Sequence, residues 1–358
     1  MDSSVALCVG PSVAARGTGA TGTPVFGVNP QGDVDGSYTQ VEGRGTARSF
    51  DFETIDVPCS DCPNGIALRT APGGINPHGD IVGVYTDKVG RQHGFLLSGG
   101  EFATIDVPGA LAGVGGTLPT VARGISPSGE IVGQYTAPVN AGVPPDSPAY
   151  CPAPGSPACT KGFLYSNGQF FTVLFPGHPG VIPGRIGPDG SLYGCYHDFD
   201  TMASMFSASW TRFGTASLAA GGGELADPTM SFPNSMHGGA TPDRRTVVGF
   251  YTDMMTGQQH GYVLRNGVLQ SYDVSLSLRT VIWDINPGEQ LVGTYDDANG
   301  RRHAFLQLSD GSAPIVIDYP GAVATIAMGI NSAGAIVGQY TDTTGRTHGF
   351  LAVPADAR

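Results

Sequence analysis

Lysine is nearly missing from this chain of 358 residues. Lys88 and Lys161 are its only lysines, and 18 basic residues stand against 30 acidic ones, which gives a formal net charge of −12 at pH 7. A nucleic-acid backbone would be repelled by such a chain, because its binding needs clustered positive charge. The composition therefore argues against DNA or RNA as a partner.

Long apolar runs and local catalytic motifs are missing as well. No stretch approaches the length needed to span a bilayer, so no membrane span is predicted. The N-terminus has neither the basic start nor the long apolar centre of a signal peptide. The chain has no GxSxG elbow, GxxxxGK[ST] phosphate loop, HExxH zinc motif or Rossmann fingerprint. An enzyme could still assemble its site from single residues on separate repeats.

Glycine, in contrast, is abundant, and its 55 residues recur at the turns of an internal repeat. The clearest copy spans residues 74–108, GINPHGDIVGVYTDKVGRQHGFLLSGGEFATIDVP. A closely similar sequence, GINSAGAIVGQYTDTTGRTHGFLAVP, occupies residues 329–354. Seven copies align on one position near their start, at intervals of 45 to 61 residues. The aligned positions are Gly27, Gly74, Gly124, Arg185, Gly239, Asp284 and Gly329.

Each unit reads as four short strands joined by turns. Pro77 and Gly79 occupy the second and fourth positions of a predicted type I turn. In the next turn Asp87 can accept backbone N–H groups and Gly90 can take a positive φ. The apolar, β-branched runs between these turns are too short for helices, and Pro108 stops the last of them. Each unit is therefore predicted to be a four-stranded antiparallel sheet.

Four strands at this period are typical of a β-propeller. The sequence predicts an all-β fold, a single domain over residues 1–358 that forms a seven-bladed β-propeller of four-stranded antiparallel blades. The last unit ends after three strands, which would leave an open edge. We expect an N-terminal strand, Ser4–Gly10, to close the last blade by pairing with the strand around Gly349–Val353.

The third-strand sequences carry a family resemblance. GRRHAF at residues 300–305, together with GRQHGF, QQHGY and GRTHGF in other units, resembles the HAF-repeat family of extracellular repeat proteins. The resemblance covers almost the whole chain and concerns the scaffold. It implies no particular reaction, so no catalytic residue is carried over from it.

One face of the predicted propeller is more elaborate than the other. In such blades the turn between strands two and three lies on the same face as the connections between blades. The third unit opens this turn into a Pro-rich insertion, residues 137–160, in which Tyr150 is a candidate ligand-binding residue. Variable loops on a regular scaffold usually carry function, so this face is the expected binding face.

Six cysteines bear on the cellular compartment. Two pairs lie close together within predicted loops, as do local disulfides made in an oxidising compartment. This favours a secreted or periplasmic protein, with a cytoplasmic one as the alternative. CSDC could also bind zinc, but a zinc site needs a second pair nearby. The pairs are Cys59 with Cys62 and Cys151 with Cys159, while Cys8 and Cys195 are predicted to stay free.

Histidine recurs beside an aromatic residue of the third strand. Equivalent positions in successive blades point away from one another and cannot converge on one ion. We therefore expect each histidine to bond the backbone or the aspartate of its own YTD turn. These histidines are His93, His260, His303 and His348.

Residues that break the repeat in the innermost strands are the main site candidates. These strands line the central channel, where bulky or polar side chains could form the floor of a small-molecule pocket. The alternative is that they plug the channel, with Arg185 and Asp284 paired. For ligand binding we single out Trp283 and Asp284, and for catalysis Arg123 or Arg185 as the group that neutralises a carboxylate or oxyanion, with His237 as base.

A second cluster, His197, Asp198 and Asp200, replaces the YTD turn in the fourth unit. It could hold a divalent cation, the only cofactor the sequence suggests, and His197 could also act as a catalytic base. Since neighbouring strand residues point to opposite faces, His237 would have to complete such a site. The alternative is an exposed turn with solvated carboxylates.

Two functions remain open at this stage. The first is a secreted binding or scaffold module, monomeric, that recognises a saccharide, another small molecule or a protein through its elaborate face. The alternative is an extracellular lyase or hydrolase that acts on a saccharide or lactone-like substrate at the channel mouth.

Overall fold

Among the described residues the repeat folds into six antiparallel sheets, preceded by three N-terminal strands; one parallel bridge, between Arg69 and Thr347, joins the first sheet to the last. The computed structural model describes residues 25–28, 34–39, 49–110, 120–138, 158–173, 180–198, 204–210 and 234–355. The N-terminal strands are β1 (Val25–Val28), β2 (Val34–Thr39) and β3 (Ser49–Ile55), and a 3₁₀ turn, Pro63–Gly65, follows them.

The first three sheets follow the order of the chain. The first holds β4 (Arg69–Ile75), β5 (Ile81–Thr86), β6 (Gln92–Ser98) and β7 (Glu101–Ile105). The second holds β8 (Thr120–Ile125), β9 (Ile131–Pro138), β10 (Ala158–Ser166) and β11 (Gln169–Val173). The third holds β12 (Gly180–Ile186), β13 (Leu192–Asp198) and β14 (Ser204–Trp210).

The remaining sheets repeat this pattern. The fourth holds β15 (Ser235–Ala240), β16 (Thr246–Thr252), β17 (Gln259–Arg265) and β18 (Val268–Tyr272). The fifth holds β19 (Arg279–Ile285), β20 (Leu291–Asp296), β21 (Arg302–Gln307) and β22 (Ile315–Val316). The sixth holds β23 (Ala324–Ile330), β24 (Ile336–Thr341) and β25 (Thr347–Pro354).

The two predicted turns are confirmed in the first sheet. Between β4 and β5, Gly79 has φ +86° and its N–H donates to the carbonyl of Asn76 at 3.1 Å. Between β5 and β6, the Asp87 carboxylate accepts the N–H groups of Val89 (2.9 Å) and Arg91 (2.8 Å). At the first corner the Oδ1 atom of Asn76 also accepts the N–H groups of His78 (2.9 Å) and Asp80 (3.0 Å). Side-chain acceptors thus fix both corners, which sets the register of the strands between them.

The first strands of the six sheets form a ring. Each contacts the first strand of the next sheet, and β23 of the sixth sheet contacts β4 of the first. At that junction a Cβ added to Gly329 would lie 3.1 Å from the Cα of Gly74, so the two backbones are nearly touching. The Asn331 side chain also donates to the carbonyl of Asn76 at 3.1 Å. The sheets are therefore arranged around a central channel, as in a propeller.

An N-terminal strand closes the sixth sheet, but the segment that we predicted is wrong. Both edges of β25 are occupied, one by β24 and the other by β3, which runs antiparallel to it with Phe52 opposite Ala352. Ser4–Gly10 itself lies outside the described residues. The reason is visible in the sequence: DFETIDVP at residues 51–58 is nearly the EFATIDVP that ends the first sheet, and it supplies the fourth strand that the last unit lacks.

The seven predicted units do not form seven separate sheets. Six of the seven aligned positions lie on the first strands of the six sheets. The seventh, Gly27, lies on β1, which pairs with β2, and β2 pairs with the outer edge of β3. Seven blades are therefore not confirmed.

The hydrophobic core lies between neighbouring sheets. Five of the six third strands carry an aromatic side chain that is completely buried, at the position following the small residue of the repeat, whereas the third sheet has Ala208 there. Because an aromatic residue buries a large apolar area, this ring of side chains contributes much of the packing energy. Its described members are Phe95, Phe163, Tyr262, Phe305 and Phe350.

Candidate functional site

A buried ion pair divides the central channel. Arg185 of β12 and Asp284 of β19 approach to 3.3 Å between Nε and Oδ2, and both side chains are 12% exposed. Arg185 also donates to the carbonyls of Arg123 (3.0 Å) and Gly184 (2.8 Å), and reaches across to the carbonyl of Met328. Of the two arrangements left open by the sequence, the one in which Arg185 pairs with Asp284 is thus present, and Arg185 joins four of the six first strands.

The ion pair is largely buried, and this burial changes the pKa of Asp284. Burial raises the pKa of the Asp284 carboxyl, while the charge of Arg185 and the backbone N–H groups of Ile285 (2.9 Å) and Ile330 (3.2 Å) oppose that rise. A buried pair of this kind is costly to break, because the remaining charge is left without a partner. The layer formed by Arg185 and Asp284 is a structural floor.

A cavity of about 240 Å³ lies on one side of this floor. Its walls include Arg69, at the start of β4. They also include Val84, near the end of β5, and Gln92, at the start of β6, which flank the turn between these two strands. The cavity therefore opens on the face that carries the connections between sheets, which is the predicted elaborate face. We call this cavity the channel mouth. A smaller cavity of about 110 Å³ lies on the other side of the floor.

Glycine creates the space of the channel mouth. The residue just before each aligned position faces this cavity, and three of the six are glycines. The other three are large and project into the space that the glycines leave. The glycines are Gly73, Gly184 and Gly238, and the large residues are Arg123, Trp283 and Met328.

The channel mouth is positively charged. Three arginines line it, Arg69, Arg123 and Arg185, and its described lining contains no carboxylate. Burial lowers the pKa of Arg123, and the positive charge of Arg185 contributes to that lowering; burial lowers the pKa of Arg69 as well. Arginine stays protonated in proteins despite such shifts. The chain as a whole has a net charge of −12, so the positive charge of the channel mouth is opposite in sign to that of the protein.

Two of these arginines keep unused donors. Arg123 donates through Nε to Gln134 at 2.9 Å, and Arg69 donates through Nη2 to Gln339 at 2.8 Å. Neither forms an ion pair with any described carboxylate. Each guanidinium has five N–H donors, so most of the donors of both remain available to a ligand in the cavity.

Polar and apolar groups complete the lining. The Oε1 atom of Gln92 is buried and has no hydrogen-bond partner among the described residues. Trp283 stands edge-on to Phe250, with ring centroids 5.3 Å apart, and Met236 and Met328 lie beside it in the cavity wall. Arginine, glutamine and aromatic side chains thus line one small space.

The comparisons with known proteins give no family. No protein-family model matches the chain, and no curated protein matches it. Similar solved structures include TolB from Acinetobacter baumannii, with 12% identity, 93% of this chain and 78% of that chain covered, and a TM-score of 0.44. They also include Trypanosoma rangeli sialidase in complex with the inhibitor DANA, with 9% identity, 84% and 59% covered, and a TM-score of 0.49.

A third similar structure is a mutant of the Aleuria aurantia lectin in complex with Fucalpha1-6GlcNAc, with 13% identity, 80% of this chain and 91% of that chain covered, and a TM-score of 0.39. At such scores these likenesses carry no argument about a ligand. The propeller-like arrangement rests on the strand pairing and on the ring of first strands.

His237, the predicted catalytic base, lies away from the channel mouth. Its side chain is completely buried and its Nδ1 atom is hydrogen-bonded to the hydroxyl of Tyr262. Its neighbours Met236 and Gly238 line the cavity, whereas His237 does not. Alternation along β15 thus turns this side chain into the core, and the described structure gives it no contact with the cavity.

The structure describes the remaining predicted site residues only in part or not at all. His197 and Asp198 belong to β13, but the surroundings of their side chains are not described, and Asp200 and Tyr150 lie outside the described residues. Among the described residues, no group of three or more His, Cys, Asp or Glu side chains could hold a metal ion. The predicted metal site stays a prediction.

The recurrent histidines form structural clasps with one or two carboxylates. The expected contact with the turn aspartate is present in three of them, at 3.5 to 3.6 Å from Nε2. In all four, Nδ1 lies within 2.9 Å of an aspartate at the end of the fourth strand, a partner that we did not predict. The pairs are His93 with Asp106, His260 with Asp273, His303 with Asp318, and His348 with Asp56.

The cysteines follow the prediction where they are described. Cys59 and Cys62 form a disulfide in the loop between β3 and β4. Cys195 is a free, buried thiol whose pKa is raised to about 12 by burial. The predicted pairing of Cys151 with Cys159 lies outside the described side chains. Within the described ranges, no helix has the length and apolar character that a membrane crossing requires.

Proposed function

We propose that this chain is a six-bladed propeller module that binds a small anionic ligand at the channel mouth and does not turn it over. The observation that carries this proposal is the placement of Arg69, Arg123 and Arg185 around one cavity whose described lining has no carboxylate. Arg185 is paired with Asp284, but Arg69 and Arg123 have no described carboxylate beside them, and partly buried charge without a counter-ion is costly in a folded protein. An anionic ligand would offset that cost.

The absence of turnover is supported by the chemistry of the lining. No histidine, carboxylate, lysine, cysteine, serine or tyrosine occurs among the described residues around the cavity. General base and nucleophilic catalysis need such a group within hydrogen-bond reach of the substrate. Of the two functions open from the sequence, the binding module is therefore the better supported. Arginines that would have stabilised an oxyanion serve instead to hold a charged ligand.

Two further observations bear on the cellular compartment and on the size of the ligand. The disulfide between Cys59 and Cys62 supports a secreted or periplasmic location, because such bonds persist in oxidising compartments. The volume of about 240 Å³ is below the roughly 300–1,000 Å³ of sites for drug-sized ligands. A ligand of about one sugar ring, or one such residue at the end of a longer chain, would fill it.

Titration calorimetry with sulfate and with glucuronate tests the proposal. Binding of at least one anion is expected in the wild type, and Arg123→Gln should weaken it by about 10- to 100-fold, the range for a lost hydrogen bond to a charged group. Arg245→Gln is the matched control, because Arg245 is 75% exposed and pairs with Asp243 at a turn between β15 and β16. The proposal fails if neither anion binds, or if both variants weaken binding equally.

A further inference from the structure

We propose that the ligand of the channel mouth is a hydroxylated carboxylate built on about one sugar ring, of the hexuronate class. This rests on the proposed function and adds the identity of the ligand class. Three separate features of the cavity carry it: the two arginines with unused donors, the buried acceptor of Gln92, and the wall formed by Trp283 and the methionines.

The arginines define the charged end of the ligand. Arg69 and Arg123 belong to neighbouring sheets. Arg69 donates one hydrogen bond to Gln339, and Arg123 donates one to Gln134. Those glutamines fix the two guanidinium groups, so little side-chain entropy remains to be lost on binding. Planar guanidinium groups match the geometry of carboxylate oxygens. A carboxylate, sulfate or phosphate would each satisfy this part of the site.

Gln92 distinguishes among these anions. Its buried Oε1 atom accepts no hydrogen bond from any described residue, and a buried acceptor without a donor is destabilising. A glutamine oxygen can be satisfied only by an N–H or O–H donor. Sulfate carries none near neutral pH, whereas hydrogen phosphate and the hydroxyls of a sugar acid do. The site therefore favours a ligand with an anionic end and at least one hydroxyl.

The aromatic wall indicates what lies between these groups. Trp283 is partly exposed in the cavity and is held edge-on by Phe250. Met236 and Met328 add a polarizable, adaptable surface next to it. A sugar ring presents an apolar C–H face on one side and hydroxyls at its rim, which matches a wall of this kind opposite polar groups. A long acyl chain or a bare inorganic ion would leave one of the two surfaces unused.

Competitive calorimetry with glucuronate, glucose and sulfate tests the inference. Glucuronate should bind at least about tenfold more tightly than either glucose, which lacks the charge, or sulfate, which lacks the hydroxyl and the ring. Gln92→Met should lower glucuronate affinity by about tenfold, the effect of one hydrogen bond. Its effect on sulfate should be smaller. Gln270→Met, at an exposed position of β18, is the matched control and should change neither.

Each failure has a distinct meaning. Equal binding of sulfate and glucuronate would overturn the inference and leave an anion-binding module standing. Unchanged glucuronate affinity in Gln92→Met, with the fold intact by circular dichroism, would also overturn it. Binding of glucose as tight as that of glucuronate would remove the role of the arginines, and binding of no compound would remove the site; either result would end the proposed function as well.

Discussion

The contact between His348 and Asp56 should contribute strongly to the stability of the closed ring of sheets. These residues lie 292 positions apart in the sequence, and their contact of 2.8 Å joins the last sheet to its N-terminal closing strand. The side chains are 3% and 10% exposed, and Asp342 lies 3.6 Å from the second ring nitrogen. Asp56→Asn keeps the size of the side chain but removes its charge, so it tests the ionic part of the clasp.

The same clasp in the first sheet provides the control. His93 and Asp106 make an equivalent contact of 2.7 Å, but they are 23% and 41% exposed and lie only 13 positions apart. Exposed ion pairs are worth about 0–1 kcal/mol, whereas a buried hydrogen bond to a charged group is worth about 1.5–3 kcal/mol. Asp56→Asn should therefore reduce the free energy of unfolding by about 2–3 kcal/mol and Asp106→Asn by less than about 1 kcal/mol.

Urea unfolding followed by tryptophan fluorescence and circular dichroism measures both losses. The midpoint should fall much further for Asp56→Asn at an unchanged dependence on urea concentration. Hydrogen exchange should then show faster opening of β3 and β25 than of β6 and β7. Equal losses in the two variants would refute the reasoning, because they would show that burial and ring closure add nothing to the clasp.

Three further outcomes follow from the geometry. Arg185→Met should cost about 3–5 kcal/mol because it leaves Asp284 buried without its partner, and the double variant Arg185→Met/Asp284→Leu should cost less; additive losses in a double-mutant cycle would contradict this. The pKa of His303 is raised, first by a hydrogen bond to a carboxylate, so its contribution to stability should be complete below the unfolded value of about 6.5 and should disappear as pH rises through the folded value. His303→Gln should thus lose more stability at pH 5.5 than at pH 9, as urea titrations at both pH values would show. Gly338→Ala should prevent folding, because its Cβ would overlap a carbonyl oxygen of the adjacent strand, whereas Gly90→Ala, in open space at φ +84°, should cost only about 1–2 kcal/mol; comparable soluble yields would argue against this.

Much of the fold was predictable because the turns of the repeat are determined by residues that lie close together in the sequence. Turn residues such as Asn76 and Asp87 act through contacts within five positions, so their spacing is enough to place the strands. Closure of the ring is a long-range contact, and the pattern alone did not reveal which N-terminal segment makes it. Comparing DFETIDVP at residues 51–58 with the end of the first full unit would have found it, since both carry the aspartate that clasps a histidine.

The site was harder to predict. Arg123, Arg185, Trp283 and Asp284 stood out because they interrupt the repeat next to small residues, and all four lie in the channel. Gln92 did not stand out, because its role depends on how sheets tilt around the channel rather than on its neighbours in sequence. The pairing of Arg185 with Asp284 was one of two open alternatives, and the sequence alone could not decide between a plug and an open floor.

A crystal structure of the protein grown with glucuronate tests the central claim most directly. We expect the ligand in the channel mouth, with its carboxylate against Arg69 and Arg123, a hydroxyl donating to Gln92, and its ring against Trp283. Ligand density at another surface, with Arg123 keeping only its bond to Gln134 and no ligand in the channel mouth, would contradict the account.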